Sequence, residues 1–302
     1  PMGRPTFVPF ISGVLSRVAG LPLRELTSDP TLWTNGLQKT TDLFDLDGVV
    51  VGFDSNLMAE ACGCELTWED DRPGVLRPAA TVCQAPVERG RLKHCLEAAK
   101  RVFKVCQNER ACLIALTGPV TLAAQVFGKE QGPDRVADLK QLVVQVTETL
   151  CQTRPDAVLF MEEDPLALTE VNLSHRRIYN TLKNIAAHYA IPVGLYLEGY
   201  QQQMVNQYAK LKMDYYVLGP GADSGMPVLS ELQDLSEGTL GMGIGLPLDD
   251  LDKTREIIKQ GVDLYGAGDG PGFFFTSHGP VTRDVDLDLL HQISREIHQI
   301  TL

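Results

Sequence analysis

The chain has 302 residues and a formal net charge of −12, from 39 acidic and 27 basic residues. An acidic chain without a long basic run does not present a nucleic-acid-binding surface. No apolar stretch is long enough and free enough of charge to cross a bilayer. The seven cysteines are scattered and form no CxxC pair, so we expect a reduced, cytoplasmic protein and not a disulfide scaffold.

Short apolar segments recur along the chain and alternate with stretches of helical spacing. The predicted strands are residues 7–11, 49–54, 112–116, 157–161, 193–198, 215–218, 240–244 and 263–265. A strand followed by a helix, repeated along the chain, predicts a parallel sheet in an α/β fold. Eight such units close a (β/α)8 TIM barrel, which is the architecture we expect. A doubly wound open sheet with fewer strands is the alternative.

The region between about 64 and 88 interrupts this alternation. Its sequence TWEDDRPGVLRP has charge, proline and glycine in place of a periodic apolar pattern. We predict a β-hairpin inserted after the second strand, within a single domain that spans residues 1–302. Long insertions in such barrels often cover the site.

Several predicted strands end abruptly at an acid, as in VVVGFD, AVLFMEED and PVGLYLE. The C-terminal ends of barrel strands meet at one mouth, so polar residues there should lie close together. The residues concerned are Ser12, Asp54, Thr117, Glu162, Glu163 and Glu198. Carboxylates that share a partly dry site raise each other's pKa, and one of them can then donate a proton or bind a metal. The alternative for Glu162 and Asp164 is that they cap the following helix.

His278 lies in the sequence FFFTSHGP, after a glycine-rich stretch and beyond the last predicted strand. An imidazole in a loop at the mouth can ligate a metal or shuttle a proton. A structural histidine that binds a turn carbonyl is the alternative. The glycines of GAGDGPG and GMGIG indicate turns, because neither stretch has a GxGxxG or GK[ST] pattern of a phosphate site.

Three segments together resemble the uroporphyrinogen decarboxylase superfamily. DLDGVVVGFDSNLMAEACGCEL is similar to the family's strand that ends in an essential aspartate, ALTGPVTLAAQVFG to its GPxTLA segment, and SHGP to its HG turn. The resemblance spans nearly the whole chain. It implies an (α/β)8 barrel, in agreement with the strand count.

The resemblance also implies roles for single residues. Asp54 matches the decarboxylase aspartate that steadies the pyrrole nitrogens of the substrate, and His278 matches the histidine of the last loop. Gln125 stands where the decarboxylase has a tyrosine, and PFISGVL stands where it has an arginine-rich segment. A substrate with eight carboxylates would meet uncompensated repulsion in an acidic site without those arginines.

The superfamily's zinc-dependent methyltransferases, which serve corrinoid proteins or coenzyme M, resemble the chain at MEEDPLAL. Where they have a thiolate motif after the fifth strand this chain reads YLEG, and His278 stands in place of a late cysteine. Oxygen and nitrogen ligands also suit zinc, so we predict an open zinc site that activates a thiol or helps a methyl group to leave. Its candidate ligands are Glu198, His278, Glu162 and Glu163.

Three functions remain open at this stage. The favoured one is transfer of a methyl group from a small methylated donor to a corrinoid protein or a thiol. The first alternative is decarboxylation of uroporphyrinogen or a smaller acid. The second is a non-catalytic barrel that binds a cofactor. The catalytic candidates are Asp54, Glu162, Glu163, Glu198 and His278. The substrate-binding candidates are Ser12, Asn56, Thr117, Gln125, Tyr196 and Tyr200. A corrinoid protein is one predicted partner, because the methyltransferases of the superfamily serve such proteins. A second copy of the chain is the other, because the family's decarboxylases are dimers.

Overall fold

The computed structural model describes residues 3–69, 71–163, 171–223, 225–266 and 271–302. The strands within these ranges are β1 (Gly48–Val51), β2 (Glu65–Glu69), β3 (Arg72–Arg77), β4 (Ala111–Thr117), β5 (Ala157–Glu162), β6 (Val193–Leu197), β7 (Tyr215–Leu218), β8 (Gly241–Leu246) and β9 (Gly272–Ser277). The α-helices are α1 (Ser12–Ala19), α2 (Leu23–Thr27), α3 (Pro30–Leu43), α4 (Leu57–Ala61), α5 (Gly90–Cys106), α6 (Pro119–Phe127), α7 (Lys140–Gln152), α8 (Leu173–His188), α9 (Val205–Tyr208), α10 (Gln233–Ser236), α11 (Leu251–Tyr265) and α12 (Leu287–His298).

The predicted α/β class with a parallel sheet is confirmed. Seven strands form one curled sheet in the order β1-β4-β5-β6-β7-β8-β9, and every neighbouring pair is parallel. Successive side chains of a strand point to opposite faces, and both faces of this sheet are apolar. One face packs against the helices in the main core, whereas the other buries a smaller cluster. Alternate strand residues build that smaller cluster, among them Leu113, Ala115, Leu159, Met161 and Tyr196.

The predicted first strand at residues 7–11 is not a strand in this structure. Phe7 makes only an isolated parallel bridge with Phe275, and helix α1 follows almost at once. Pro9 has no N–H group to donate, so a regular ladder cannot continue through it. Apolar side chains of this segment are nevertheless buried, and Phe10 lies in the smaller cluster.

The prediction of a strand at residues 263–265 is wrong, because these residues form the last turn of α11. Asp250 caps that helix by accepting the backbone N–H of Lys253 (3.1 Å). The last strand is β9, whose aromatic run FFF has high strand propensity. The glycine-rich stretch therefore precedes the last strand, and its residues 267–270 lie outside the described residues, as does Asp164.

A two-stranded antiparallel sheet of β2 and β3 lies between β1 and β4 in the sequence. Asp71, at the turn between the two strands, accepts the N–H of Leu23 (2.9 Å) and lies 3.4 Å from the guanidinium of Arg283. The amide of Asn56 donates to the carbonyl of Pro73 (2.9 Å). These contacts tie the hairpin to α2, to the loop after β9 and to the loop after β1.

Side chains that accept backbone N–H groups fix the starts of several helices. Asp29 accepts from two N–H groups of α3, Asp286 from two of α12, and Asn172 forms a capping box at α8. No helix in the described part of the chain combines the length and the apolar character needed to span a membrane.

Asp47, just before β1, joins the two ends of the chain. Its carboxylate accepts from both Nη atoms of Arg4 (2.7 and 3.0 Å) and from the N–H of Phe7 (2.8 Å), and it lies 3.3 Å from Nε2 of His298. Burial by itself raises the pKa of Asp47, but the hydrogen bonds from Arg4 and Phe7 hold it below its usual value. The N-terminal segment and the last helix are therefore held by one buried carboxylate.

We expect Asp47→Ala to lower the free energy of unfolding by about 2 kcal/mol near neutral pH, because it removes the carboxylate that compensates the charge of the Arg4 guanidinium and accepts the N–H of Phe7. Urea denaturation measures this loss. The folded-state pKa of Asp47 lies below its unfolded value, so the difference from the wild type persists at neutral pH and disappears as the pH falls through the folded pKa.

Asp42→Ala is the matched control, because Asp42 pairs with Arg110 (2.7 Å) while its side chain is 64% exposed. An exposed pair contributes less than about 1 kcal/mol. Equal losses in the two variants, or a loss at Asp47 that does not change in acid, would contradict the assignment.

Candidate active site

Glu162 and Glu163 are neighbours in the chain but belong to opposite faces of the sheet. Leu159 and Met161 of β5 lie in the smaller cluster, so alternation directs Glu162 toward the helices and Glu163 toward the end of that cluster. Glu162 is 2% exposed, whereas Glu163 is half-buried. The two carboxylates therefore have different partners.

The carboxylate of Glu162 binds the N-terminus of helix α6. Its Oε1 accepts from the N–H of Val120 (3.0 Å), its Oε2 accepts from the N–H of Thr121 (2.6 Å), and the hydroxyl of Tyr179 also donates to Oε1. Burial raises the pKa of Glu162, and these hydrogen bonds act against that rise. The helix that Glu162 caps precedes it in the chain, whereas the sequence suggested the helix that follows.

Glu163 lies among other acids. Burial raises the pKa of Glu163 to about 7, a hydrogen bond from Ser55 acts against this rise, and the charges of Glu198, Asp54 and Glu162 add to it. A carboxyl group with a pKa near neutrality can donate and accept a proton under cellular conditions. Of the predicted catalytic acids, Glu163 is therefore the one best suited to proton transfer.

Ser55 connects Glu163 to three predicted substrate-binding residues. Its Oγ receives a hydrogen bond from Nδ2 of Asn56 (3.2 Å), and its carbonyl accepts from Oγ1 of Thr117 (2.5 Å) and from Nε2 of Gln125 (3.1 Å). Asn56, Thr117 and Gln125 thus hold the backbone and side chain of Ser55. Within the described residues, Oε1 of Gln125 is buried without a hydrogen-bond partner.

Asp54 forms a buried ion pair. Its Oδ2 accepts from Nη1 of Arg91 (2.5 Å), and the two side chains are 9% and 4% exposed. Its Oδ1 accepts the N–H of Asn56 (2.8 Å). Arg91 also donates to Glu60 (2.7 Å), and its guanidinium lies 4.7 Å from the ring centre of Trp68 in the hairpin. Asp54 is therefore held and partly neutralised by Arg91.

Glu198 follows β6 and receives a hydrogen bond from the hydroxyl of Tyr196 (2.9 Å). Residues two apart in a strand lie on the same face, which explains this contact. The Tyr196 ring is fully buried, edge-on to the stacked rings of Phe10 and Phe53 at centroid distances of 5.5 and 5.2 Å. The hydroxyl of Tyr196 thus orients Glu198, and its contact with a substrate stays a prediction.

His278 lies in the loop after β9. Its backbone N–H donates to the carbonyl of Leu246 (2.9 Å), which ties this loop to the end of β8. Burial lowers the pKa of His278, and the carboxylate of Asp249 acts in the opposite direction. Nε2 of the ring is buried and has no hydrogen-bond partner among the residues described. The charge that acts on His278 is thus Asp249, and not one of the acids around Glu163.

The two remaining substrate-binding candidates lie at different places. Ser12, at the start of α1, lines a small cavity together with Asp54, and the other residues that line it are mostly apolar. Tyr200 is 2% exposed, and its hydroxyl donates to the carbonyl of Gly219 (3.2 Å). The described structure thus places Ser12 beside one of the acids and commits the Tyr200 hydroxyl to the backbone.

The predicted zinc ligands do not fit a metal site. In the ranges that the structure describes, no group of three or more His, Cys, Asp or Glu side chains could hold a metal ion. The oxygens of Glu162 are taken by N–H groups and a phenol, Glu198 accepts from Tyr196, and the carboxylate whose charge acts on His278 is Asp249 and not a predicted ligand. No metal ion held by this chain takes part in the step proposed below.

Sequence reasoning missed Ser55, Arg91, Thr121 and Tyr179. Ser55 and Thr121 are part of the motifs FDSN and GPVT, but their partners are far away in the chain. Arg91 offered a signal, because it lies on the apolar stripe of α5 with Cys95 and Val102, where an arginine needs a buried partner. Tyr179 offered none, because an aromatic residue on an apolar helix stripe is ordinary.

Comparison with known proteins identifies a family that the sequence matches and two solved structures with a similar fold. The family profile of uroporphyrinogen decarboxylase (URO-D) matches residues 7–158. In structure the chain is similar to a methyltransferase from Methanosarcina mazei, with a TM-score of 0.76 and 15% identity over 99% of this chain and 95% of that one. It is also similar to a B12-independent methionine synthase from Shewanella sp. W3-18-1, solved in complex with selenomethionine, with a TM-score of 0.60 and 13% identity over 89% of this chain and 87% of that one. No curated protein matches the chain in sequence.

Gly118, the residue before α6, has no room for a side chain, because a Cβ atom there would lie 2.2 Å from Oε1 of Glu162. We expect Gly118→Ala to displace this carboxylate and to lower the free energy of unfolding by about 2–3 kcal/mol, since buried N–H groups lose their acceptor. Denaturation in urea measures the change.

Gly74→Ala provides the control, because its Cβ would meet Cγ2 of Thr67 at 3.7 Å, an ordinary contact. We expect a change within about 0.5 kcal/mol there. If Gly118→Ala were as stable as Gly74→Ala, the tight approach of Glu162 to α6 would be refuted.

Proposed function

This chain belongs to the uroporphyrinogen decarboxylase (URO-D) superfamily, and from that premise we propose that it is an enzyme that transfers a methyl group, with Glu163 as the proton donor. The observation that carries the proposal is the place of Glu163 directly after β5, where the hydroxyl of Thr121 holds its backbone N–H (3.0 Å) and where burial and neighbouring carboxylates raise its pKa to about 7. A carboxyl group that is partly protonated near neutral pH is suited to general acid catalysis.

The proposed step uses a small donor R–X–CH3, in which X is oxygen, nitrogen or sulfur. A nucleophile attacks the methyl carbon, the bond from carbon to X breaks, and the electron pair of that bond goes to X. X takes the proton of the Glu163 carboxyl, so the products are the methylated acceptor, R–XH and the Glu163 carboxylate. A thiolate, or a corrinoid on a partner protein, supplies the nucleophile. That partner and a homodimeric assembly are proposals that rest on the resemblance to the superfamily, and a cytoplasmic location is a proposal that rests on the seven scattered cysteines.

Neighbouring residues support this role for Glu163. The negative charge of Glu198, which Tyr196 holds in place, favours the protonated form of Glu163. Ser55 holds the Glu163 carboxyl by a hydrogen bond. The buried and unpartnered Oε1 of Gln125 is an acceptor for a donor group of the substrate.

We also propose that the curled sheet closes into a (β/α)8 barrel through its N-terminal segment. The N–H of Val8 donates to the carbonyl of Phe275 (2.8 Å) on one side, and the N–H of Asp47 donates to the carbonyl of Phe7 (3.1 Å) on the other. A closed ring brings the ends of β1, β5 and β6 to one mouth. The hairpin of β2 and β3 would then be an insertion that covers this mouth, in a chain that forms one domain.

The charges around Glu163 favour methyl transfer over decarboxylation of a porphyrinogen. The guanidinium of Arg91 is engaged by Asp54 and Glu60, so its charge is already compensated. A substrate with many carboxylates would meet Glu198 and the other acids, whereas a neutral or cationic methyl donor would not be repelled. The structural likeness to proteins named methyltransferase and methionine synthase supports the same choice.

Decarboxylation of a small acid is the second candidate, and the family match over residues 7–158, which includes Asp54, favours it. As carbon dioxide leaves R–COO⁻, the carbanion would take the proton of Glu163, giving R–H, carbon dioxide and the Glu163 carboxylate. The same residue serves both candidates, so its protonation state controls either reaction.

We expect Glu163→Gln to reduce the rate constant of methyl transfer by at least about 100-fold, with little change in KM, because the amide cannot donate a proton to the leaving group. The wild-type rate should be level at low pH and should fall about tenfold per pH unit above about 7, where the protonated form is lost. The measurement is formation of the demethylated product from methylated amines, ethers and thioethers, with a thiol or a reduced corrinoid as the acceptor.

Glu130→Gln is the matched control, because Glu130 is exposed on the surface, and it should keep the wild-type rate and pH profile. Release of carbon dioxide without an acceptor would establish the decarboxylase instead. A chain that does neither, yet melts at a higher temperature with a ligand, would be a binding protein. Full activity of Glu163→Gln would rule out the proposed acid.

A further inference from the structure

Thr121 contacts both acids at the end of β5. Its backbone N–H donates to Oε2 of Glu162 (2.6 Å), and its side-chain Oγ1 accepts the backbone N–H of Glu163 (3.0 Å). One residue in the first turn of α6 thus binds two consecutive residues that point to opposite faces of the sheet. The hydrogen bond to the Glu163 N–H lies at the position where the chain leaves β5.

Glu162 is anchored on the face of the sheet that packs against the helices. The hydroxyl of Tyr179 in α8 and the N–H of Val120 donate to the same oxygen of Glu162, and Tyr179 is fully buried. Gly118 leaves the space that this carboxylate fills. The end of β5, the start of α6 and the middle of α8 are therefore joined by one buried carboxylate.

We infer that Glu162, Thr121 and Tyr179 act together as positioning residues that set where the Glu163 carboxyl lies. The catalytic meaning of this inference rests on the proposed function of Glu163. The positioning of the Glu163 carboxyl by these three residues does not rest on that function, because it concerns only the surroundings of Glu163 and not a reaction.

Two separate effects connect this unit to Glu163. Thr121 fixes the backbone of Glu163, and a fixed backbone keeps the side chain in its half-buried place beside Ser55. Glu162 adds a charge effect, since its negative charge is among those that favour the protonated form of Glu163. Loss of either effect moves the pKa of Glu163 down toward its ordinary value.

A purely structural cap makes a different prediction. If Glu162 and Tyr179 only stabilise α6, their variants lower the stability of the chain and leave the titration of Glu163 unchanged. A direct titration of Glu163 separates the two cases, whereas a melting temperature does not.

The experiment is a pH titration of the full chain labelled with ¹³C at its glutamate carboxyl groups, followed by NMR. The resonance of Glu163 is the one that Glu163→Gln removes, and in the wild type it should titrate near pH 7. We expect Thr121→Val to lower this midpoint by about one pH unit, because Glu163 gains solvent and moves away from the other acids. Thr121→Ser keeps the hydroxyl and should restore the wild-type midpoint.

Tyr179→Phe is the second variant, and it removes a single hydroxyl from the buried unit. Glu162 then loses a donor, is protonated more easily and repels Glu163 less, so the midpoint of Glu163 should fall by a smaller amount than in Thr121→Val. This variant decides the question alone if Thr121→Val does not fold. Thr181→Val is the control, because the hydroxyl of Thr181 donates to the carbonyl of Arg177 (2.9 Å) on the surface of α8.

An unchanged midpoint of Glu163 in the folded variants Thr121→Val and Tyr179→Phe would overturn the inference, as would a shift in Thr121→Ser as large as that in Thr121→Val. The titration needs no substrate. A shifted midpoint together with full activity of Glu163→Gln would thus refute the proposed function and leave the positioning role standing.

Discussion

The bond between the Glu162 carboxylate and the N-terminus of α6 is the interaction on which the arrangement of the site depends. A buried carboxylate is stable only where donors replace its water, and the first turn of a helix offers free N–H groups with a favourable dipole. The sequence GPVT supplies this turn: Gly118 leaves room, Pro119 lacks an N–H to satisfy, and Val120 and Thr121 donate. Because Tyr179 donates from α8, two helices and a strand are fixed relative to one another.

The four acids at this edge of the sheet differ in the partners they have. Asp54 has the guanidinium of Arg91, Glu162 has a helix N-terminus, and Glu198 has the hydroxyl of Tyr196. Glu163 has a hydrogen bond from Ser55, and its strongest charge neighbours are the other three acids. The distribution of partners, and not the number of acids, therefore decides which carboxyl group titrates near neutrality.

Much of the fold could be predicted from the sequence. Apolar segments of strand length that alternate with helical spacing predicted the α/β class and the parallel sheet, and the acids near the ends of β1, β5 and β6 predicted the edge at which the candidate site lies. Two predicted strands are not strands in the structure. Pro9 interrupts the predicted strand at residues 7–11, and residues 263–265 form the end of helix α11. Local pattern does not distinguish a strand of three residues from the end of an amphipathic helix.

The site could be predicted only in part, for a reason that lies in the sheet itself. Both faces of β5 are apolar, so its sequence AVLFMEED does not reveal which face is inward, and Glu162 and Glu163 were treated as equivalent. Their difference depends on Thr121 and Tyr179, which meet them only after folding. A motif locates a strand end, but the partners that set a pKa come from other elements of the fold.

The charges of the site also bear on which substrates it accepts. At about 4 Å and an effective dielectric constant of about 20, two like charges repel by about 4 kcal/mol, which corresponds to roughly a thousandfold in affinity. A substrate carboxylate beside an ionised Glu198 would meet repulsion of this order, and the guanidinium of Arg91 is already shared by two acids. The same field attracts a cationic donor and does not oppose a neutral one. Protonation of Glu163 removes one of the repelling charges, so in the proposed reaction the form that can donate a proton is also the form that least opposes an anionic leaving group. In the proposed mechanism, charge selection and acid catalysis thus depend on the same proton.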